Sequence, residues 1–262
     1  MSEMAVTVPP PVGMGRDTRA RKLARENLVK VLWDRHGRRR LPTDAQLVRA
    51  MEACDKRDVW WVCEANSAGP LYFLPTKDWI RTLARTLKDW EIRSVLEVGA
   101  GDGFVSACLA AAMPDVKVVA TDSGAWERPA ARMNRQDRRD FKGVPFRGIS
   151  AGENVIRMDA VAAVKRFKPN LTLVVWPPPG DLLERVIKAP SSRVVLDVSV
   201  EGDVCGMGML TWRFNKDFVF GPLEERALCR LDARPREERH TRVTVYYGRA
   251  HPEFHEEKGR FR

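Results

Sequence analysis

The chain has 262 residues, of which 44% are hydrophobic and 31% charged, and its formal net charge is +10. This describes a soluble globular protein long enough to bury a full core as one large or two small domains. No run is long enough to span a bilayer, and Met1–Gly15 lacks the charged and apolar regions of a secretory signal. The odd set of cysteines (54, 63, 108, 205 and 229) has no C-x-x-C spacing, so neither a disulfide framework nor a zinc site is supported; a cytoplasmic chain with reduced core thiols is expected, without membrane contact.

In chain order, residues 1–15 are rich in proline and glycine and are expected to be disordered. Residues 16–75 read as a basic helical extension and pocket cover, with helices near 17–35 and 43–54, the second opened by Thr43 or Asp44 after Pro42. Between residues 16 and 40, ten Lys and Arg face three acids, a segment charge of +7. Such charge suits nucleic acid. Leu23, Leu28, Val31 and Leu32 nevertheless recur near the helical period, so the arginines equally fit the solvated face of an amphipathic helix. Val59–Cys63 and Leu71–Leu74 predict short strands or a packed loop.

Residues 76–250 form the main domain and 251–262 a tail. Thr76 caps a helix with Trp79, Ile80, Leu83, Leu87 and Trp90 on one face. Strands are predicted at 94–98, 116–121, 154–158, 171–176 and 193–200, alternating with helices at 104–112, 160–166 and 181–187. An arginine-rich segment at 127–140 follows the second strand, in a basic group of Arg132, Arg135, Arg138, Arg139 and Lys142. Alternation of this kind predicts a parallel sheet with helices on both faces. Phe218–Phe220, Ala227–Asp232 and Arg242–Gly248 follow as strands, the last two as an antiparallel pair. His251 and His255 share helix spacing but have no third partner, and no metal is expected.

The stretch Val95-Leu96-Glu97-Val98-Gly99-Ala100-Gly101-Asp102-Gly103-Phe104 carries the chemistry. A strand turning sharply into a helix with a ligand against the turn needs residues without a Cβ. The helix behind it presents N-terminal amides that favour an anionic group. The spacing is G-x-G-x-G, with Phe104 where a dinucleotide fingerprint needs its third glycine, so a pyrophosphate is disfavoured. Glu97 stands where an acid has no packing role; it can order the loop or reach a ligand ammonium through water. About twenty residues on, Asp122 ends a second apolar strand, the spacing at which a carboxylate meets ribose hydroxyls.

The segment from Glu97 to Gly103, taken with Asp122, resembles the first two motifs of the class I S-adenosylmethionine-dependent methyltransferases. Val155-Ile156-Arg157-Met158-Asp159-Ala160 is similar to the segment in which that family places an acid by the adenine amino group. Leu171-Thr172-Leu173-Val174-Val175-Trp176-Pro177-Pro178-Pro179-Gly180 falls where the family's fourth strand reaches the methyl-transfer face. The resemblance covers roughly residues 76–249. It implies a doubly wound, seven-stranded, mostly parallel α/β sheet (the Rossmann-like methyltransferase fold) and S-adenosyl-L-methionine as cofactor. The cofactor residues it implies are Glu97, Gly99, Ala100, Gly101, Gly103, Asp122, Ser123, Asp159 and Ala160.

Trp176, Pro177 and Pro178 are the acceptor-face candidates. Amino-methylating members carry Asp, Asn or Ser, then Pro-Pro, then an aromatic residue. This chain keeps Pro177-Pro178 but has Trp176 first and Pro179 in the aromatic position. A proline run also simply ends a strand. The glycine-rich loop from Glu201 to Arg213 is expected either to overhang the same pocket or to connect two strands. The resemblance thus implies methyl transfer to an unidentified acceptor, a nitrogen nucleophile being one class, with Asp181, Glu201 and Asp203 as candidate proton acceptors. The alternative is a non-catalytic nucleic-acid-binding or interaction protein that retains the fold. Nothing in the sequence indicates the oligomeric state.

Overall fold

The computed structural model describes residues 5–8, 17–127, 148–200, 205–206 and 208–257, without the side chains of Gly208 and Met209. The basic group from Arg132 to Lys142 lies outside the described residues, as do Glu201 and Asp203. The chain forms two compact units. Unit 1 takes its described residues from 1–78, 125–150 and 228–240, and unit 2 from 79–124, 151–227 and 241–262. Among the described residues, no helix is long and apolar enough to cross a membrane.

Unit 1 begins with α1 (Arg19–Leu32), whose cap Thr18 accepts a hydrogen bond from the Arg21 amide. It is shorter than the 17–35 expected, because Trp33 turns extended and bridges to Arg39. Helix α2 (Asp44–Glu52) opens on a capping box in which Thr43 and Gln46 bond each other's backbone amides. The aromatic run at 59–63, expected as a short strand or a packed loop, is instead part of a helix, α3 (Lys56–Ala65). Asp55 starts it by accepting from the Arg57 amide at 2.9 Å, and Val59, Val62 and Cys63 recur at helical spacing on its buried face. These side chains join Leu28, Leu32, Trp33, Leu47, Met51, Leu74 and Leu228 in one core.

Two further expectations are corrected. Ala227–Asp232 forms no strand, and meets Leu71–Leu74, which takes the packed-loop alternative, at one isolated bridge, Phe73 to Cys229. Asp232 folds residues 227–232 into a turn, accepting from the Cys229 amide at 2.8 Å and the His240 amide at 2.5 Å. Ala5–Val8, within the stretch expected to be disordered, is placed: the Thr7 amide donates to Ser67 Oγ, the Ser67 amide donates to the Thr7 carbonyl, and Val6 and Val8 pack on the core.

The N-terminal arginines have a structural task. Asp58 on α3 is fully buried and is held by Arg21 Nε at 2.9 Å and Arg25 Nη1 at 3.0 Å, while Arg25 also grips Asp17. This charge cluster ties α1 to α3, so part of the +7 segment is neutralised inside the fold.

Unit 2 carries the sheet, with strands β1 (Ser94–Val98), β2 (Lys117–Asp122), β3 (Val155–Arg157), β4 (Leu171–Val175), β5 (Val194–Val200), β6 (Lys216–Phe218) and β7 (Thr241–Tyr247). The helices are α4 (Lys77–Asp89, in this unit from Trp79), α5 (Phe104–Ala112), α6 (Ala160–Phe167), α7 (Leu182–Ile187), α8 (Gly208–Thr211) and α9 (Pro222–Glu225). The sheet order is β3-β2-β1-β4-β5-β7-β6. The first five strands run parallel and β7 is antiparallel to both its neighbours, β5 and β6. The expected antiparallel ending is thus present, but the partners of β7 are not residues 227–232.

Leu96, Val98, Val174, Val195 and Tyr246 share one sheet face and pack with Ala163 and Val164 of α6 and Val186 and Ile187 of α7. Glu97 points to the opposite face, where Ser106 of α5 meets it, so helices cover both faces. On α4, Trp79, Ile80, Leu83 and Leu87 are buried, whereas Trp90 lies past the helix end and is 40% exposed, outside the face expected for it. The tail is not loose over its described length: Asn215 and Glu257 amides bond to His255 and Arg213 carbonyls, and Phe254 stacks on Phe214. Cys54, Cys63, Cys205 and Cys229 are buried thiols, as expected.

Removing Asp58 would take from Arg25, 6% exposed, the buried one of its two acids and leave it to the more exposed Asp17 alone, and would strip Arg21 of that carboxylate as well. Asp58→Ala should therefore cost about 3–5 kcal/mol, read as a lower urea midpoint, while Arg19→Ala on the exposed side of α1 changes the midpoint little.

Candidate functional site

Parallel pairing places the carboxyl ends of β3, β2, β1 and β4 along one edge of unit 2, and the strand order reverses between β1 and β4. In open α/β sheets such an edge, at the reversal, is where ligands bind. The glycine turn lies there. Gly99, Gly101 and Gly103 have φ of +66°, +55° and +73°, a region that only glycine enters without strain. The Ala100 amide bonds to the Thr121 carbonyl at 3.0 Å, tying the turn to β2.

Asp122 completes that tie. One carboxylate oxygen accepts from the Gly101 amide at 2.9 Å and the other from the Gly124 amide at 2.7 Å. Ser123, beside it, is exposed. A Cβ at Gly99 would meet none of the described residues within 4 Å, so among them the turn opens onto free space there. Its far side is closed: a Cβ on Gly103 would come 2.6 Å from Val155 Cγ2, and one on Gly152 would come 2.2 Å from the Asp102 carbonyl oxygen.

Glu97 is 2% exposed and accepts from both the amide and the hydroxyl of Ser106. Gly103, the cap of α5, has no side chain to satisfy the helix amides, so Glu97 reaches across from the strand to do so. Asp102 accepts from the Phe104 amide at 3.1 Å. Two of the first three amides of α5 are therefore already satisfied, and the helix offers a ligand less than a bare N-terminus would. Of the two roles open to Glu97 in the sequence, the geometry favours ordering the loop. Burial pushes its carboxyl up to about 7, against the pull of its Ser106 bonds.

Asp159 caps α6, one oxygen accepting from the Val161 and Ala162 amides at 3.0 and 3.2 Å, the other from Arg185 at 2.9 Å. Ala160 follows it, buried in the core. Trp176, directly after β4, is half-buried with φ of +53°, unusual for a bulky residue, and its amide bonds to the Val198 carbonyl at 2.8 Å. The Pro177 carbonyl accepts from the Gly206 amide at 3.0 Å, so this part of the loop after β5 lies against the proline run. Asp181 is exposed at the start of α7.

Strand ends and parallel register thus bring together Glu97, Gly99, Ala100, Gly101, Gly103, Asp122 and Ser123, with Asp159 and Ala160 one strand further out and Trp176–Pro178 on the other side of β1. The fold is Rossmann-like, a doubly wound sheet of seven strands, five of them parallel. No family model matches the chain, and no curated protein sequence does. Among solved structures, the chain is similar to the 23S rRNA methyltransferase ErmE at 20% identity, over 69% of this chain and 71% of that one, with a TM-score of 0.37. It is similar to the methyltransferase domain of bacterial CtHen1 at 13% identity, over 65% and 98%, with a TM-score of 0.39. It is also similar to the plantazolicin methyltransferase BpumL in complex with SAH at 11% identity, over 66% and 83%, with a TM-score of 0.37. At such low identity and superposition these likenesses say nothing about what this chain acts on.

Two participants escaped the sequence reading. Ser106 is recognisable only once α5 is seen to start on a glycine without a cap. Asp197, an acid in the apolar run Val194–Val200, repeats the signal that singled out Glu97. It is 3% exposed, and one of its oxygens accepts from Ser199 at 2.6 Å while the other has no hydrogen-bond partner among the described residues. Burial pushes this carboxyl up to about 7, opposed by the Ser199 bond.

Asp197 and Glu97 both hold a proton in the folded chain over a range in which the unfolded chain has released it, from roughly pH 4 upward. The folded state is therefore favoured at the acid end, and this stabilisation is lost as pH rises through about 7. The melting temperature should fall between pH 5 and pH 8, and Asp197→Asn should flatten the decline in a thermal-unfolding series.

Proposed function

We propose that the chain is an S-adenosylmethionine-dependent methyltransferase whose cofactor lies against the glycine turn. The observation that carries this reading is the turn itself: three left-handed glycines after β1, open space over Gly99, and a carboxylate at the end of the neighbouring strand. The space a Cβ on Gly99 would fill is the cradle a ligand needs to lie on the backbone. The residues present therefore fit the cofactor.

In this reading Gly99, Ala100, Gly101 and Gly103 floor its amino-acid end, Asp122 and Ser123 meet the ribose, and Asp159 and Ala160 face the adenine. A carboxylate has about four acceptor sites, so Asp122 can hold the turn and still receive hydroxyls. Glu97, through Ser106, keeps the floor in place. When bound, S-adenosylmethionine supplies an electrophilic methyl group on a sulfonium. What the chain adds is alignment of an acceptor with that group. Trp176 offers an indole at the strand end, where a cation can be held by its π face, and Pro177 and Pro178 stiffen the backbone beside it. A nitrogen acceptor must lose a proton, and Asp181 is the described candidate to take it.

One observation favours the second reading, a binding protein that retains the fold without catalysis. Both oxygens of Asp122 and both of Asp159 already accept hydrogen bonds from the protein itself. Calorimetric titration of S-adenosylmethionine into the full chain separates the two. Saturable binding is expected, weakened about tenfold, on the order of 1.4 kcal/mol, by Asp122→Asn. Gly99→Ala should abolish it, since the new methyl enters the cradle and, at φ of +66°, also strains the turn by about 1–2 kcal/mol. A chain that binds no S-adenosylmethionine overturns the methyltransferase reading.

A further inference from the structure

Unit 1 contains a cavity of about 390 Å³, lined by Lys56, Arg57 and Trp60 from the start of α3 and by Arg230, Glu238 and His240 from the 228–240 segment. Its size lies within the roughly 300–1,000 Å³ of small-molecule sites. Its wall combines cations with an aromatic surface. Trp60 is half-buried and Arg57 is exposed. Arg230 is held in place, its guanidinium 4.3 Å from the Tyr72 ring centroid and one nitrogen donating to the buried Glu64. Lys56 pairs with Glu238, which also lies 3.4 Å from His240.

The N-terminal helix commits Arg21 and Arg25 to Asp58, just as Arg230 and Lys56 are paired with Glu64 and Glu238, so charge alone does not set the cavity apart. What distinguishes the cavity from a solvated charge run is concavity with an indole inside it. Guanidinium and ammonium groups grip phosphate oxygens. An aromatic face stacks any base, because every base has a π surface.

We propose that this cavity binds a nucleoside phosphate, with the base against Trp60 and the phosphate on Arg57 and Arg230. Every residue it uses belongs to unit 1, so it stands or falls separately from methyl transfer. The ligand can arrive as a free nucleotide or as one residue of a single-stranded RNA. Glu238 opposes an anion here, which gives the site a substitution of opposite sign.

The test uses the full chain with two probes: AMP by calorimetry, and a fluorescein-labelled single-stranded RNA of about 12 nucleotides, within the span one such site engages, by anisotropy. Arg57→Glu and Trp60→Leu should each weaken binding about tenfold or more, while Glu238→Gln tightens it. Arg19→Ala and Lys22→Ala, on the exposed side of α1, should leave it within about twofold. RNA bound more tightly than AMP assigns the site to a strand, and AMP bound as tightly or better assigns it to a free nucleotide. Failure of both probes to bind overturns the proposal, as does Arg57→Glu binding like the unaltered chain. Arg57 is exposed, so its substitution leaves the fold intact even if Trp60→Leu does not.

Discussion

Parallel pairing of β1 with β2 sets Val98 opposite Thr121 and leaves Asp122 one residue beyond the ladder, level with the backbone that has begun to turn. From there its carboxylate reaches the Gly101 amide, and its other oxygen closes the next turn at Gly124. The direction of α5 depends on this. The turn delivers Gly103 as a cap with no side chain, and the deficit is met from the strand by Glu97 rather than from the loop. One strand end therefore fixes where the helix starts, and the helix start fixes where a buried acid must sit. The open space over Gly99 is what remains after the far side of the turn has been filled by Val155 and Gly152.

What the sequence conveyed best was unit 2. Apolar runs ending in Glu97, Asp122 and Trp176 at alternating spacing with small-residue helices leave few arrangements other than a parallel sheet, and the five parallel strands lie close to their expected bounds. The candidate site was legible to the same extent, because it is made of strand ends. Where the reading failed, local pattern and tertiary demand diverged. Trp60-Trp61-Val62-Cys63 has the β-branched and aromatic look of a strand, but Asp55 caps it and the core needs every third or fourth side chain. Ala227–Asp232 has the apolar content of a strand, yet Asp232 draws the backbone into a turn. Ser106 and the empty oxygen of Asp197 are relationships between distant residues, which no single position advertises.

Charge followed a similar course. The density of arginine between residues 16 and 40 reads as a surface property, but burial of Asp58 recruits two of those side chains into the interior. Arg38 pairs with Asp34 four residues before it, and Arg40 donates to the Lys30 carbonyl. A net charge counted along the chain therefore overstates what the helix offers a polyanion, whereas the cations of α3 and the 228–240 segment, far fewer, share a concave wall.

The chain passes from one unit to the other after residues 78, 124, 150, 227 and 240. A ribosome releases these segments in order, so α1, α2 and α3 emerge long before Leu228 and Ala233 exist to finish their core, and Glu64 emerges well before Arg230. The α1–α3 helices must wait, incompletely packed, until residues 228–240 have been made. Unit 2 waits as well, since β7, which lies between β5 and β6, is released only after residue 240. Neither unit can be shed by trimming an end, and a premature stop before residue 228 leaves both unfinished.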